Sequence, residues 1–205
     1  MPASLSIEEA GRLIEDLCLM DDVFFSRCFE GSNACAELML RVILGRNDLE
    51  VTETRTQEWI QGLPGHSAKL DITARDSRGS IYDIEIQKAG KGAGRRRARF
   101  YSAMLDAGWL GKGEDCSSLP ESYVIFITPD DAIGRGLALY NAERCVRETG
   151  ELYDDGTHIV HVSESLADRE TDLGKLMHDL SCTDPEKMHY NVLRERTRFF
   201  KKQEE

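Results

Sequence analysis

Two neighbouring stretches of the sequence place acids where they can meet. Ala68 to Asp76 and Ser80 to Gln87 each read as a strand. Ser77-Arg78-Gly79 between them has the length and closing glycine of a three-residue hairpin loop. With that loop, Asp76 pairs with Ser80, Arg75 lies opposite Ile81, Thr73 opposite Asp83, and Asp71 opposite Glu85. Side chains alternate along a strand, so one face carries Leu70, Ile72, Ala74, Tyr82, Ile84 and Ile86. The other carries Lys69, Asp71, Thr73, Asp83, Glu85 and Gln87. A slip by one residue would mix apolar and polar side chains on both faces, which favours this register.

Asp71 and Glu85 are then like charges set against each other, an arrangement that costs stability unless a cation lies between them. Oxygen ligands with no Cys or His beside them suit magnesium or manganese better than zinc. Such an ion would acidify a water, steady a phosphoryl oxygen and offset charge in a transition state. Gln87 shares the face of Glu85, and its amide can orient a water or a phosphate oxygen. Asp83 reads as a supporting or solvated acid. From spacing alone the alternative stays open: an edge hairpin with a solvated acidic face and no chemistry.

The surrounding elements are those of an α/β chain with a mixed sheet. Asn33 to Leu44 repeats apolar residues at helical spacing and stops at Gly45, and Ile7 to Leu19 also reads as a helix. Leu49 to Gln57 is a strand by its alternation, and Gln61 to Gly65 is a loop. After the hairpin, a glycine- and lysine-rich stretch (Lys88 to Gly94) leads into a helix over about Arg95 to Ala107. Glu121 to Thr128, bounded by Pro120 and Pro129, fits a buried strand. Leu139 to Leu152 and Thr157 to Val162 read as further strands with Asp155-Gly156 turning between them, and Leu173 to Leu180 as a short helix. Asp184 with Pro185 predicts the start of one last helix reaching Lys202. The expected organisation is a single domain, with a core at about 21–130 and a C-terminal elaboration at about 131–205.

Composition narrows the class. The 205 residues are 40% hydrophobic and 31% charged, ordinary for a packed domain. No apolar run approaches the ~20 residues of a bilayer span, and Met1 to Glu9 lacks the layout of a signal peptide. A cytoplasmic protein with no membrane partner is expected. The six cysteines are scattered without CxxC spacing, so a zinc cage is not expected and several should pack as small apolar residues. The net charge of −11 argues against bulk-charge binding of nucleic acid, which leaves that task to local clusters. Arg95, Arg96, Arg97 and Arg99 form one such cluster, and a weaker one runs from Arg194 to Lys202. Adjacent arginines on a helix cannot all point one way. The cluster therefore reads either as partly phosphate-binding or as a solvated face. Glu37 reads as a surface glutamate with an outside chance of reaching a metal. His66 sits on a loop, and His158 and His161 do not make a metal pair.

An Asp on one strand, a hairpin, then Glu-x-Lys on the next resembles the signature of the PD-(D/E)XK nuclease superfamily, matched here by Asp71 and Glu85-Ile86-Gln87. More narrowly, Lys69 to Gln87 and Arg95 to Ile127 resemble the bacterial recombination-promoting nucleases (the Rpn group), also labelled PD-(D/E)XK nuclease family transposases. Asp21 to Glu30 and Cys182 to Tyr190 are similar to further segments of that group. The resemblance implies a restriction-endonuclease-like core and a metal-dependent DNA endonuclease serving recombination or mobile elements. It implies Asp71 and Glu85 as ligands of Mg2+ or Mn2+, and Gln87 in the place of the superfamily's catalytic lysine. It also implies Arg96, Arg99 and Tyr101 as contacts to DNA phosphates. Glutamine is usual at that place in the Rpn group, but it is neutral and only orients. A catalytically weak domain that binds nucleic acid or protein is therefore the alternative. A homodimer stays open, since double-strand cutting by a small domain generally needs two sites. The C-terminal helix is either its contact or packs on its own sheet.

Overall fold

The computed structural model describes residues 13–61, 67–88 and 93–202. His66, most of the expected Gln61–Gly65 loop, residues 89–92 of the glycine-rich stretch and residues 7–12 of the first expected helix lie outside the described residues. Of that first helix, residues 13–15 are helical, and the chain turns away before Leu19.

Six strands form one mixed sheet in the order β1-β2-β3-β4-β6-β5. They are β1 (Val51–Gln61), β2 (Ser67–Asp76), β3 (Ile81–Ile86), β4 (Ser122–Thr128), β5 (Leu139–Ala142) and β6 (Thr157–Ser163). The first three run antiparallel as a meander, β3, β4 and β6 run parallel, and β5 closes the far edge antiparallel to β6. Helices α1 (Asp22–Phe29), α2 (Asn33–Leu44), α4 (Asp172–Ser181) and α5 (Asn191–Lys202) supply residues to one apolar cluster, with Ile72, Ala74, Tyr82, Ile84 and Ile86 from the hairpin. Helix α3 (Arg95–Trp109) carries the chain from β3 to β4 and covers a second, smaller cluster with Ala98, Tyr101, Met104 and Leu105. A mixed sheet between helices is the architecture expected from the sequence.

Helix α2 has the expected bounds. Ser32 caps it by accepting the Cys35 N–H, its buried residues recur at helical spacing, and Gly45 ends it at φ 65°. The hairpin loop is shaped by Asp76, whose Oδ1 accepts the N–H groups of Arg78 and Ser80, each at 2.9 Å. Gly79 takes φ 88°, which favours glycine. Four cross-strand pairs, Arg75–Ile81 to Ile72–Ile84, have the register read from the sequence.

The alternation of faces does not persist along all of β2. Leu70 and Ala68 pack in the α3-side cluster, whereas Ile72 and Ala74 pack in the other. The reversal falls at Asp71, and the neighbouring strand carries Gln57 at φ 55° there, with neither residue in the β1–β2 pairing. Leu70 and Ile72 are thus buried on opposite sides of the sheet. The hairpin's odd-numbered face is not solvated either, since Asp83 and Glu85 are fully buried.

Two other expectations need correction. The strand expected over Leu139 to Leu152 ends at Ala142, the last residue paired with β6, opposite Ile159. The chain then turns on itself through an isolated Cys145–Leu152 bridge. The last helix is broken: Asp184 caps only a short 3-10 turn, Pro185–Lys187. Met188 is then buried, and α5 begins afresh at Asn191. The cause is Asp179, whose fully buried carboxylate accepts the N–H groups of His189 and Tyr190. Helix α5 packs on its own chain, where the Arg196 guanidinium donates to the Cys28 carbonyl at 2.8 Å.

All six cysteines are free. Cys28 and Cys35 are buried, and burial pushes the Cys28 thiol up to about 12, as suits a packing residue. No helix among the described residues is long and apolar enough to cross a membrane.

Candidate active site

The ladder between β2 and β3 stops at Ile72–Ile84, one pair short of Asp71 and Glu85. The two acids complete the join with their side chains. Glu85 Oε1 accepts the Asp71 N–H at 2.9 Å, and Asp71 Oδ2 accepts the Ile86 N–H at 3.1 Å. Each carboxylate is therefore fixed by the backbone of the opposite strand. One oxygen of each is left for other partners, since Asp71 Oδ1 is in no hydrogen bond among the described residues.

The free oxygen of Glu85 faces cations and donors from α3 and the end of β3. Arg97 Nη2 lies 3.3 Å from Glu85 Oε2, and Gln87 Nε2 lies 3.5 Å from it. Arg97 also donates to Gln87 Oε1 at 3.1 Å and to the Tyr101 hydroxyl at 2.7 Å, with its guanidinium over the Tyr101 ring. Gln87 is held at its carbonyl end, so its amide donor points at Glu85. The site lies where the parallel strand β3 ends and α3 begins, the usual place for a site in an α/β sheet.

A cavity of about 530 Å³ opens over this group, with Asp71, Gln87, Lys88, Arg97 and Tyr101 in its wall. Asp22 and Trp59 lie on its rim, and Trp59 is 63% exposed. Glu85 is not part of that wall: it is sealed beneath Arg97. A smaller cavity of about 180 Å³ lies against Thr73, Arg75 and Trp109 and reaches neither acid.

Burial without full neutralisation marks the electrostatics. Burial, then the charges of Glu85 and Asp22, push the Asp71 carboxyl up to about 7. Glu85 is raised by burial, against the Asp71 N–H and Arg97. Asp83 is raised well above the carboxylate range by burial and then by Glu85 and Asp71. Neither oxygen of Asp83 has a hydrogen-bond partner, so no hydrogen bond there offsets the burial that raises it. Raised pKa values gathered at one cavity suit a functional site.

The donor set fits a hard, oxygen-preferring dication in one respect and limits it in another. Two buried carboxylates keep one oxygen each beyond their backbone bonds, and a dication would relieve their repulsion. The described residues offer no third acid, His or Cys close enough for a three-ligand cluster here. The remaining positions of such an ion would fall to water and a substrate phosphate, as is usual for magnesium.

Among the residues singled out from the sequence, Asp71, Glu85, Gln87 and Tyr101 come together. Arg96 and Arg99 do not: both are exposed and outside the cavity wall. The arginine that reaches the acids is Arg97, four residues before Tyr101 and so on the same helix face. That spacing was the available signal. Glu37 does not reach the site; it accepts the Val51 N–H at 3.0 Å and pairs with Arg41 at 2.8 Å. The first-helix acid at the cavity is Asp22. His158 and His161 both lie on β6, away from the acids, with His158 between Glu121 and Glu143.

Residues 45–192, well over half of the chain, match the family model described as PD-(D/E)XK nuclease family transposase. No curated protein and no solved structure matches. The matched segment begins just after α2 and contains all six strands, the paired acids and α3. The chain belongs to the PD-(D/E)XK nuclease family transposases.

Proposed function

We propose that this protein hydrolyses phosphodiester bonds in DNA as a Mg2+- or Mn2+-dependent endonuclease, in recombination or the movement of mobile elements. The observation that carries this reading is the Asp71–Glu85 pair. Two buried acids are locked by each other's backbone; Asp71 keeps one oxygen unengaged on the cavity, and the second oxygen of Glu85 is held by Arg97 and Gln87. A divalent ion held there would supply charge to a phosphoryl oxygen and acidity to water. The chain's own residues do the positioning. Arg97 pairs with Glu85 in the cavity wall, with its guanidinium oriented by Tyr101 and Gln87, and a phosphate at the metal would compete with Glu85 for it. Gln87 accepts no proton in this range, so its part is to orient through its amide. Lys69 adds positive charge at the cavity, where Lys88 is paired with Asp21, and Arg96 and Arg99 continue it along the exposed start of α3, where a DNA backbone would lie. Water adds at phosphorus as one P–O ester bond breaks, leaving a phosphate monoester and a hydroxyl.

The test is nicking of supercoiled plasmid with Mg2+ or Mn2+ by the wild-type protein beside Asp71→Ala and Glu85→Ala. Loss of nicking in both variants supports the enzyme, and equal nicking by all three points to a contaminant.

One observation favours a second reading, a binding module with a closed site. Glu85 is capped by Arg97, and a neutral glutamine stands where the wider superfamily has lysine. Arg97→Ala separates the two. If Arg97 serves chemistry, cutting falls by roughly 100-fold. On the binding-module reading the wild type does not cut, and the variant, with Glu85 unsealed, binds divalent metal more tightly without gaining nicking beyond background.

A further inference from the structure

A second cluster of ligating side chains lies where α4 ends and α5 begins. His178, Asp179 and His189 offer one ligand atom each, and these atoms all lie within 4.8 Å of one another. Among the described residues no other trio of His, Cys, Asp or Glu comes this close. Asp179 is fully buried, while His178 and His189 have side chains 32% and 43% exposed, so the cluster opens to solvent on its imidazole side.

The hydrogen bonding around Asp179 is lopsided. Oδ2 accepts the N–H groups of His189 at 2.9 Å and Tyr190 at 2.8 Å. Oδ1 is approached by three groups: the His189 N–H at 2.8 Å, His189 Nδ1 at 2.9 Å and His178 Nδ1 at 3.2 Å. A carboxylate oxygen has two lone pairs. The backbone donors alone satisfy the carboxylate as the cap of α5, and two imidazole nitrogens still converge on the same oxygen.

We propose that His178, Asp179 and His189 form a binding site for a first-row transition dication of the zinc type. Zinc bonds of 2.0–2.2 Å in a tetrahedron put neighbouring donor atoms roughly 3.3 Å apart. The two N–O separations here are 3.2 and 2.9 Å, so small imidazole shifts admit the ion. The rings stand at 84° with centroids 4.7 Å apart, so their nitrogens approach from different directions. The carboxylate keeps its backbone partners on Oδ2 while Oδ1 turns to the metal. Three protein ligands leave a fourth position for water. Imidazole ligands select this site for zinc over magnesium, which sets it apart from the all-oxygen pair at Asp71 and Glu85. Bound metal would tie the end of α4 to the entry of α5.

The experiment is a zinc titration of the full chain in excess magnesium, followed by melting temperature and calorimetry. Visible absorption of the Co2+-substituted protein serves as the spectroscopic readout. The expected result is saturable one-to-one binding and a Tm rise of roughly 5–10 °C at about 100 times the Kd. Co2+ should show ligand-field bands of tetrahedral intensity. His178→Ala and His189→Ala should each lose these signals while keeping the fold, because the cap of α5 rests on backbone donors. Asp71→Ala should keep them. No saturable zinc binding would overturn the site. So would zinc binding that both histidine variants retain, which would place the ion elsewhere, for example on cysteine thiols. A plain capping network, with both imidazoles only hydrogen-bonded to Asp179, gives the first of these results.

Discussion

At Asp71 burial and charge conflict at the wall of the cavity. Burial and the charges of Glu85 and Asp22 raise its carboxyl to about 7, and the Ile86 N–H and Arg97 only partly oppose them. In the unfolded chain the same group titrates near its ordinary 3.8. Between these values the folded state binds more protons than the unfolded one, so metal-free stability falls as pH rises from about 4 to about 7. Asp71→Asn keeps an oxygen for the Ile86 N–H and removes the charge. In EDTA above about pH 7, that variant should be more stable than the wild type by an amount of order 1–3 kcal/mol. Below about pH 4 the two should converge, and the variant should not cut at any pH. Urea unfolding across the window is the measurement, and equal curves at high pH would mean that Asp71 ionises at no cost. Metal reverses the trend, because binding displaces the proton: Mg2+ affinity should rise with pH over the same interval.

Elements differ in how much of their placement the local sequence carries. The hairpin was legible because its cause is local: Asp76 and Gly79 shape a three-residue loop, and the loop sets the register. Helix α2 was legible for the same reason, with Ser32 and Gly45 at its ends. What escaped depends on tertiary partners. The reversal of faces at Asp71 arises because carboxylates replace the ladder, and no periodicity records that. Arg97 could not be told from its neighbours by charge alone, only by its spacing to Tyr101. The break before α5 is imposed by Asp179, which lies on a different helix from the residues it caps. Asp179→Ala leaves the His189 and Tyr190 N–H groups without their acceptor and should cost roughly 2–4 kcal/mol in urea unfolding. Asp179→Asn, which retains one carbonyl oxygen, should recover part of it. An Asp179→Ala protein as stable as the wild type would mean that Met188 burial and not the carboxylate breaks the helix.

For the whole molecule, on the proposed endonuclease reading, the net charge of −11 sets the terms of DNA binding. Long-range attraction is unavailable to a chain this acidic, so binding must come from the few cations that line one cavity and the helix beside it. These are Lys69, Lys88 and Arg97 at the cavity, with Arg96 and Arg99 on the exposed start of α3. Arg97 is already committed to Glu85 and Lys88 to Asp21, which leaves about three cations, Lys69, Arg96 and Arg99, for phosphates. Each phosphate neutralised on duplex DNA contributes about −0.9 to the slope of log K against log salt, so a total slope of roughly −3 is expected. Fluorescence anisotropy with Asp71→Asn, expected on the proposed function not to cut, measures it without consuming the substrate. Arg96→Ala combined with Arg99→Ala should weaken binding evenly across sequences and reduce the slope by roughly 2. A slope of about −8 or steeper would require a much wider basic surface than the described residues provide. An unchanged slope in the double variant would move the DNA off α3 and towards the Trp59 and Lys69 side of the cavity.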